Sequence, residues 1–245
     1  MRRFLSMYMV EQRLFFRSPD VLLFCLAMPT AALIIITMIS GGKDAGDTGL
    51  TYLQSSFVAL STVGICCTAF MSIPITLVNY RQTGVLRRMY CSPCSPARLL
   101  ACNTLASGVT AAVSTLILTL AAVLLLGYRM EGSVILYIAV WLLTMVSMFS
   151  IGLMVAALCR TTGSMNVVTS ITYFPMLLLS GATIPVEVFP EWFQSFAKLL
   201  PLGVGIDLLK SISAGCYDTM TVPIIILVAI AAVCLAIAAA AFRWE

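Results

Sequence analysis

Six long runs of this sequence carry no Asp, Glu, Lys, Arg or His, and this narrows what the chain can fold into more than any motif does. The runs are Val21–Gly42, Thr51–Tyr80, Leu99–Tyr128, Gly132–Cys159, Thr161–Val186 and Thr219–Phe242. A helix advances about 1.5 Å per residue, so about 20 apolar residues cross a hydrocarbon core roughly 30 Å thick. Each run is long enough to cross once and too short to cross twice. A backbone in lipid must satisfy its own hydrogen bonds, so the crossings are helices; a barrel would show short alternating strands instead. Composition agrees, with 61% hydrophobic and 10% charged residues where a soluble domain carries roughly a quarter charged. The reading is an all-α integral membrane protein, one domain over residues 1–245. Its spans are expected near 21–40, 54–78, 99–126, 133–158, 165–181 and 220–242.

Orientation follows from the basic residues flanking the spans. With six crossings both termini share a side. If that side is cytoplasmic it holds Arg2, Arg3, Arg13, Arg17, Arg81, Arg87, Arg88, Arg98, Arg160 and Arg243, ten of the fourteen basic residues. The other side keeps Lys43, Arg129, Lys198 and Lys210, with seven of the ten acids. Both termini are therefore expected in the cytoplasm.

The nine cysteines outline no disulfide framework, since most fall inside spans or on the reducing side and only Cys216 is expected outside. Cys91 and Cys94 supply half of a zinc site, and the chain has no His to complete one. No small-residue cleavage pattern precedes Asp20, so no cleaved leader is expected.

Three segments outside the spans are informative. At about 100° per residue, Arg2, Arg3, Ser6, Arg13 and Arg17 of the first eighteen residues share one arc, and Phe4, Met7, Tyr8, Leu14 and Phe15 face the other way. This predicts an amphipathic interfacial helix over 1–18, with lipid headgroups as its partners; a simple positive-inside anchor would need no more than the arginines. Arg81 to Arg98 is the longest internal connection on the basic side, so a cytoplasmic partner would touch the chain there or at the N-terminal helix. After the fifth run, Gly181 and Pro185 break the chain, and Pro190 and Pro201 follow. Between those two prolines Glu191–Leu200 mixes Trp192, Phe193 and Phe196 with isolated charges. This reads as a short extracellular helical segment re-entering the outer leaflet before the last span, or as a plain loop.

The chemistry that is missing excludes several classes. No span holds an ionisable residue, which disfavours proton-coupled carriers and voltage sensors. Intramembrane proteases built on a metal or a Ser/His pair lack their His. No acid cluster suits a divalent ion. The G-x-x-x-x-G-K-[ST] phosphate loop is absent, Gly41-Gly42-Lys43-Asp44 having neither its spacing nor its hydroxyl. The chain is expected to be no enzyme, to bind no cofactor, and to draw any energy from another chain.

Two stretches, on opposite sides of this layout, resemble the permease subunits of ABC-2 type exporters. Arg81-Gln-Thr-Gly84-Val-Leu-Arg87-Arg88-Met with Ser92-Pro93-Cys-Ser95-Pro96 is similar to that family's "R-E-x-G-T-L-R-R-L…T-P" stretch. Ser180-Gly181…Pro185…Phe189-Pro190-x-Trp192…Leu200-Pro201-Leu202 is similar to its "S-G…P…L-P-x-W…P-L" signature. Gln82 and Val85 depart from the usual Glu and Thr. The resemblance implies a drug-efflux-like permease of the cell (plasma or inner) membrane, pairing with a second copy or a paralogue. It implies cytoplasmic ATPase subunits that hold ATP and Mg, and no nucleic acid among the partners. It also makes 1–18 an elbow helix and assigns Arg81, Gly84, Arg87, Arg88 and Arg98 to the loop that couples the ATPase to the membrane domain. Arginine retention on the basic side explains the same residues without a partner.

Two other classes stay open. A secondary carrier or channel could use the broken helices at Pro74, Pro175 and Gly181–Pro185, and a non-transporting scaffold would need no ATP. The uncharged spans favour a hydrophobic or amphiphilic substrate over a small ion, and no substrate residue can be assigned.

Overall fold

The computed structural model describes residues 2–17, 23–40, 52–85, 96–128, 132–159, 161–180, 200–216 and 220–241. Arg87, Arg88, Cys91, Cys94, Gly181, Pro185, Pro190 and Trp192 lie outside them. Among the described residues every regular element is helical. We number them α1 (Arg2–Arg17), α2 (Met28–Ser40), α3 (Tyr52–Cys67), α4 (Ile73–Gln82), α5 (Pro96–Leu126), α6 (Val134–Leu158), α7 (Thr162–Leu179), α8 (Pro201–Ser213) and α9 (Thr221–Ala241). A π-turn, Leu23–Ala27, leads into α2, and a second, Thr68–Ser72, joins α3 to α4.

Among the described residues four helices are long and apolar enough to cross a membrane: Leu53–Gln82, Arg98–Leu126, Val134–Leu158 and Thr221–Ala241. Each coincides with an expected span. The first and fifth expected spans are helical but shorter. Cys25–Ile39 is an apolar helix of fewer than 18 residues, and α7 has 18 residues, including Asn166 and Pro175. At 1.5 Å per residue an 18-residue helix reaches about 27 Å, just under the core thickness.

Burial sorts the helices. The most apolar part of Leu53–Gln82 is 89% buried inside the chain, against 22% for Thr221–Ala241 and 28% for Arg98–Leu126. The α3–α4 rod is therefore the axis around which the others pack, and α5 and α9 turn most of their surface outward. Phe70, Ile65, Met148, Leu202, Ile206 and Ile212 are among its fully enclosed side chains.

Each π-turn frees backbone polar groups that lipid cannot satisfy. Ser114, reaching across from α5, donates its hydroxyl to the Cys25 carbonyl. Thr68 turns its own hydroxyl onto the carbonyls of Gly64 and Ile65 at 3.1 and 2.8 Å. At the second π-turn α6 comes so close that a Cβ at Gly152 would run into the Ala69 carbonyl oxygen. Glycine there is a packing requirement. Most buried hydroxyls of the spans close locally in the same way, as at Ser61, Thr62, Thr110, Thr144 and Ser150, which leaves them holding their own helices.

One helix was not expected. The sequence reading ran the segment before the last span through Pro201 without an element of its own, whereas Pro201–Ser213 forms α8, buried almost throughout. It packs against α3, α6 and α9. Proline in the first turn is favourable because its missing N–H has no helical partner there. The two charges of α8, Asp207 and Lys210, are three residues apart and share one face, with Asp207 exposed.

Candidate functional site

The ends of α3, α4, α5 and α6 gather at two levels. One level is aromatic. Phe57 lies against Tyr128, with ring centroids 4.5 Å apart, and against Tyr137 at 6.4 Å, while the Tyr137 hydroxyl meets that of Ser61 at 3.1 Å. The other level contains the end of α4, the start of α5, the end of α6 and helix α1, and it holds the described part of the connection singled out in the sequence.

At this level α4 ends on a built stop. Thr83 closes the last turn through its backbone N–H and its hydroxyl, both donating to the Asn79 carbonyl at 2.9 and 2.7 Å. Gly84 follows with its N–H on the Arg81 carbonyl and a φ of 68°, a conformation that disfavours any residue with a Cβ. The chain therefore leaves α4 sharply. It re-enters helix at Pro96, and Arg98 is exposed in the first turn of α5.

Arg81 is engaged within the chain. Its Nη1 donates to the Cys159 carbonyl at 2.9 Å, just past the end of α6, and the residue is only partly exposed. The guanidinium closes an orphan carbonyl at a helix C-terminus, where a cation is also favoured by the helix dipole. Part of its donor capacity is therefore used within the chain. Beyond it, Thr161 and Ser164 form a reciprocal capping box that starts α7.

Helix α1 packs along α5. Arg13 and Arg17 are exposed on it, Phe15 is buried, and Met9, Val10 and Leu14 are exposed. The face of α1 turned toward the rest of the chain carries Glu11, 3% exposed. Its Oε1 accepts from the Tyr80 hydroxyl at 2.7 Å, on α4, and its Oε2 from Asn103 Nδ2 at 3.3 Å, on α5. Sequence reasoning missed this trio. The signal was present: Glu11 is the one acid of the first nineteen residues and falls among Phe4, Met7, Tyr8 and Phe15 on the helical arc.

Of the re-entrant group only Pro201 is described, buried at the start of α8. Cys216 is exposed, whereas Cys25, Cys66, Cys67, Cys102, Cys159 and Cys234 are buried.

An all-helical chain with four apolar helices of spanning length is a multi-pass membrane protein. Its residues 2–213 match the model of the family described as "ABC-2 type transporter", and the chain belongs to that family. Among curated proteins it is 24% identical over 196 residues to "Probable doxorubicin resistance ABC transporter permease protein DrrC" of Mycobacterium tuberculosis, covering 78% of this chain and 69% of that one. To "Probable multidrug ABC transporter permease YbhR" of Escherichia coli it is 22% identical over 160 residues, 65% of this chain and 42% of that one. To "Nodulation protein J" of Rhizobium leguminosarum bv. trifolii it is 36% identical over 90 residues, 37% and 34% of the two chains. The chain thus spans 34% to 42% of the length of the latter two relatives.

Proposed function

We propose that this chain is the permease subunit of an ABC exporter, moving a hydrophobic or amphiphilic substrate outward with energy from ATP hydrolysed by a separate subunit. The observation that carries this reading is the family match over residues 2–213, in a chain without a phosphate-binding loop. The names of two relatives refer to doxorubicin resistance and to multidrug transport, in keeping with an aromatic or amphiphilic drug as cargo.

In this reading α1 is the elbow helix, with Arg2, Arg3, Arg13 and Arg17 toward lipid headgroups, and the chain crosses six times with both termini in the cytoplasm. The two shorter helices cross with help from their flanks. Gly181, Pro185, Pro190, Trp192 and Pro201 mark a short extracellular helical segment that re-enters the outer leaflet before the last span. Arg87, Arg88 and Arg98 offer donors to acidic surface on the ATPase, with Gly84 setting the turn and Arg81 holding the stem. ATP and Mg bind in that partner, and a second permease completes the path.

Affinity capture of the chain from its native membrane in mild detergent tests this directly. A stoichiometric ATPase subunit carrying the phosphate-loop motif should co-elute, and the eluate should hydrolyse ATP. Elution of the chain without such a subunit, under conditions that keep it folded, would remove the basis of the proposal.

A further inference from the structure

The helices of this chain are joined almost everywhere by apolar packing, with α6 against α9 the most extensive case. The joint between α1 and the rest is different. Glu11 is buried, both of its carboxylate oxygens are engaged, and both donors are neutral. A buried carboxylate held by a hydroxyl and an amide is an expensive way to attach a helix, and an apolar residue of similar size would pack at lower cost. The placement of the two donors gives the arrangement a purpose. Tyr80 lies in the last turn of α4 and Asn103 in the third turn of α5, so one side chain on α1 grips both stems of the connection that runs from 86 to 95.

We propose that Glu11 is a positioning residue for transport: its carboxylate locks the N-terminal helix to both stems of the 86–95 connection, so that the three move as one body. A displacement of either stem is then carried into α1, and a displacement of α1 into both stems. Charge-assisted hydrogen bonds are shorter and stronger than neutral ones, and with one oxygen for each stem the grip is shared between them. The lock belongs to this chain by itself. Its use in transport rests on the ABC-exporter reading above.

Each stem can be released separately. Spin labels at Met9→Cys on α1 paired with Gln82→Cys on α4, and at Met9→Cys paired with Ala101→Cys on α5, report the two distances by pulsed electron paramagnetic resonance. All three sites are exposed, and the chain is studied in lipid nanodiscs with Cys91, Cys94 and Cys216 replaced by Ser. With Glu11 present both distance distributions should be narrow. Tyr80→Phe should broaden the α1–α4 distribution about twofold and leave α1–α5 nearly unchanged, Asn103→Leu should do the reverse, and Glu11→Ala should broaden both. Glu11→Gln should keep both narrow. Its amide oxygen can accept from Tyr80, and its N–H can donate to Asn103 Oδ1, a buried atom with no partner in the structure, once the Asn103 amide turns over. A merely structural role would not produce this stem-by-stem pattern.

The same labels are then read in the complex with its ATPase, before and after trapping with ATP and vanadate. Both α1 distances and the α4–α5 distance, Gln82→Cys with Ala101→Cys, should hold while the body shifts against α9, read by Met9→Cys and by Gln82→Cys each paired with Ile237→Cys at an exposed site; in Glu11→Ala the stems should shift against α9 and leave α1 behind. Unchanged widths in Glu11→Ala, or identical trapped states with and without Glu11, overturn the lock alone. If ATP moves no pair in the wild-type complex, the transport role falls together with the exporter reading.

Discussion

Ser114 and Thr115 are neighbours on α5 with opposite duties. The Ser114 hydroxyl is the donor that another helix's π-turn depends on, whereas Thr115 bonds the Ala111 carbonyl of its own helix at 3.0 Å. Ser114→Ala leaves the Cys25 carbonyl without a partner in a dry interior and should cost about 1–3 kcal/mol; Thr115→Val should cost under about 0.5 kcal/mol. Reversible unfolding in mixed detergent micelles measures both, and equal effects would mean that the π-turn carbonyl finds another donor. Gly152→Ala belongs to the same class. Its added methyl meets backbone at Ala69, so a loss of about 1–3 kcal/mol is expected by the same measurement. The cysteines test placement. Cys216 is exposed and should react with an impermeant maleimide within minutes. Cys159 should lag at least tenfold even in opened membranes, because it is buried and burial pushes its thiol above the ordinary range, against smaller downward pulls from Ser164 and Arg81. With the thiolate form disfavoured, its labelling should rise only as the pH climbs past the usual thiol range. Fast labelling of Cys159 at neutral pH would contradict its burial.

Among the elements, those that a charge-free run announces were the legible ones. The long spans follow from hydrophobic length alone, because lipid leaves a backbone few choices. α8 was not legible, since its charged face is the part a charge count sees and its buried face is shared with α3, α6, α7 and α9. The polar joint at Glu11 was half visible. The sequence placed an acid on the apolar arc of α1, but Tyr80 and Asn103 are 69 and 92 residues away from it, and only packing brings them together. The π-turns carry no sequence signature of their own. For the connection after α4, the expected outcome concerns Arg87 and Arg88. If they meet acidic surface on the proposed ATPase, Arg87→Glu with Arg88→Glu should leave insertion intact and reduce capture of that subunit at least tenfold, because attraction then becomes repulsion. Arg160→Glu, at the turn between α6 and α7, is the control and should change capture less than twofold. Equal capture by both variants at matched expression would reduce Arg87 and Arg88 to anchors of orientation.

For the whole molecule, most buried hydroxyls of the described helices are committed to their own helices. What it offers is a buried central rod, outward-facing apolar helices and one level where the N-terminal helix, the α4–α5 stems and the end of α6 are tied by Glu11 and Arg81. Such a body suits being moved by something else. The measurement that bears most directly on this is transport in proteoliposomes containing the chain with or without its ATPase, assayed with a panel of hydrophobic and amphiphilic drugs that includes doxorubicin. The account predicts that movement of at least one compound requires both proteins and ATP and stops with vanadate. Transport by the chain alone, driven by an ion gradient and indifferent to ATP, would contradict it.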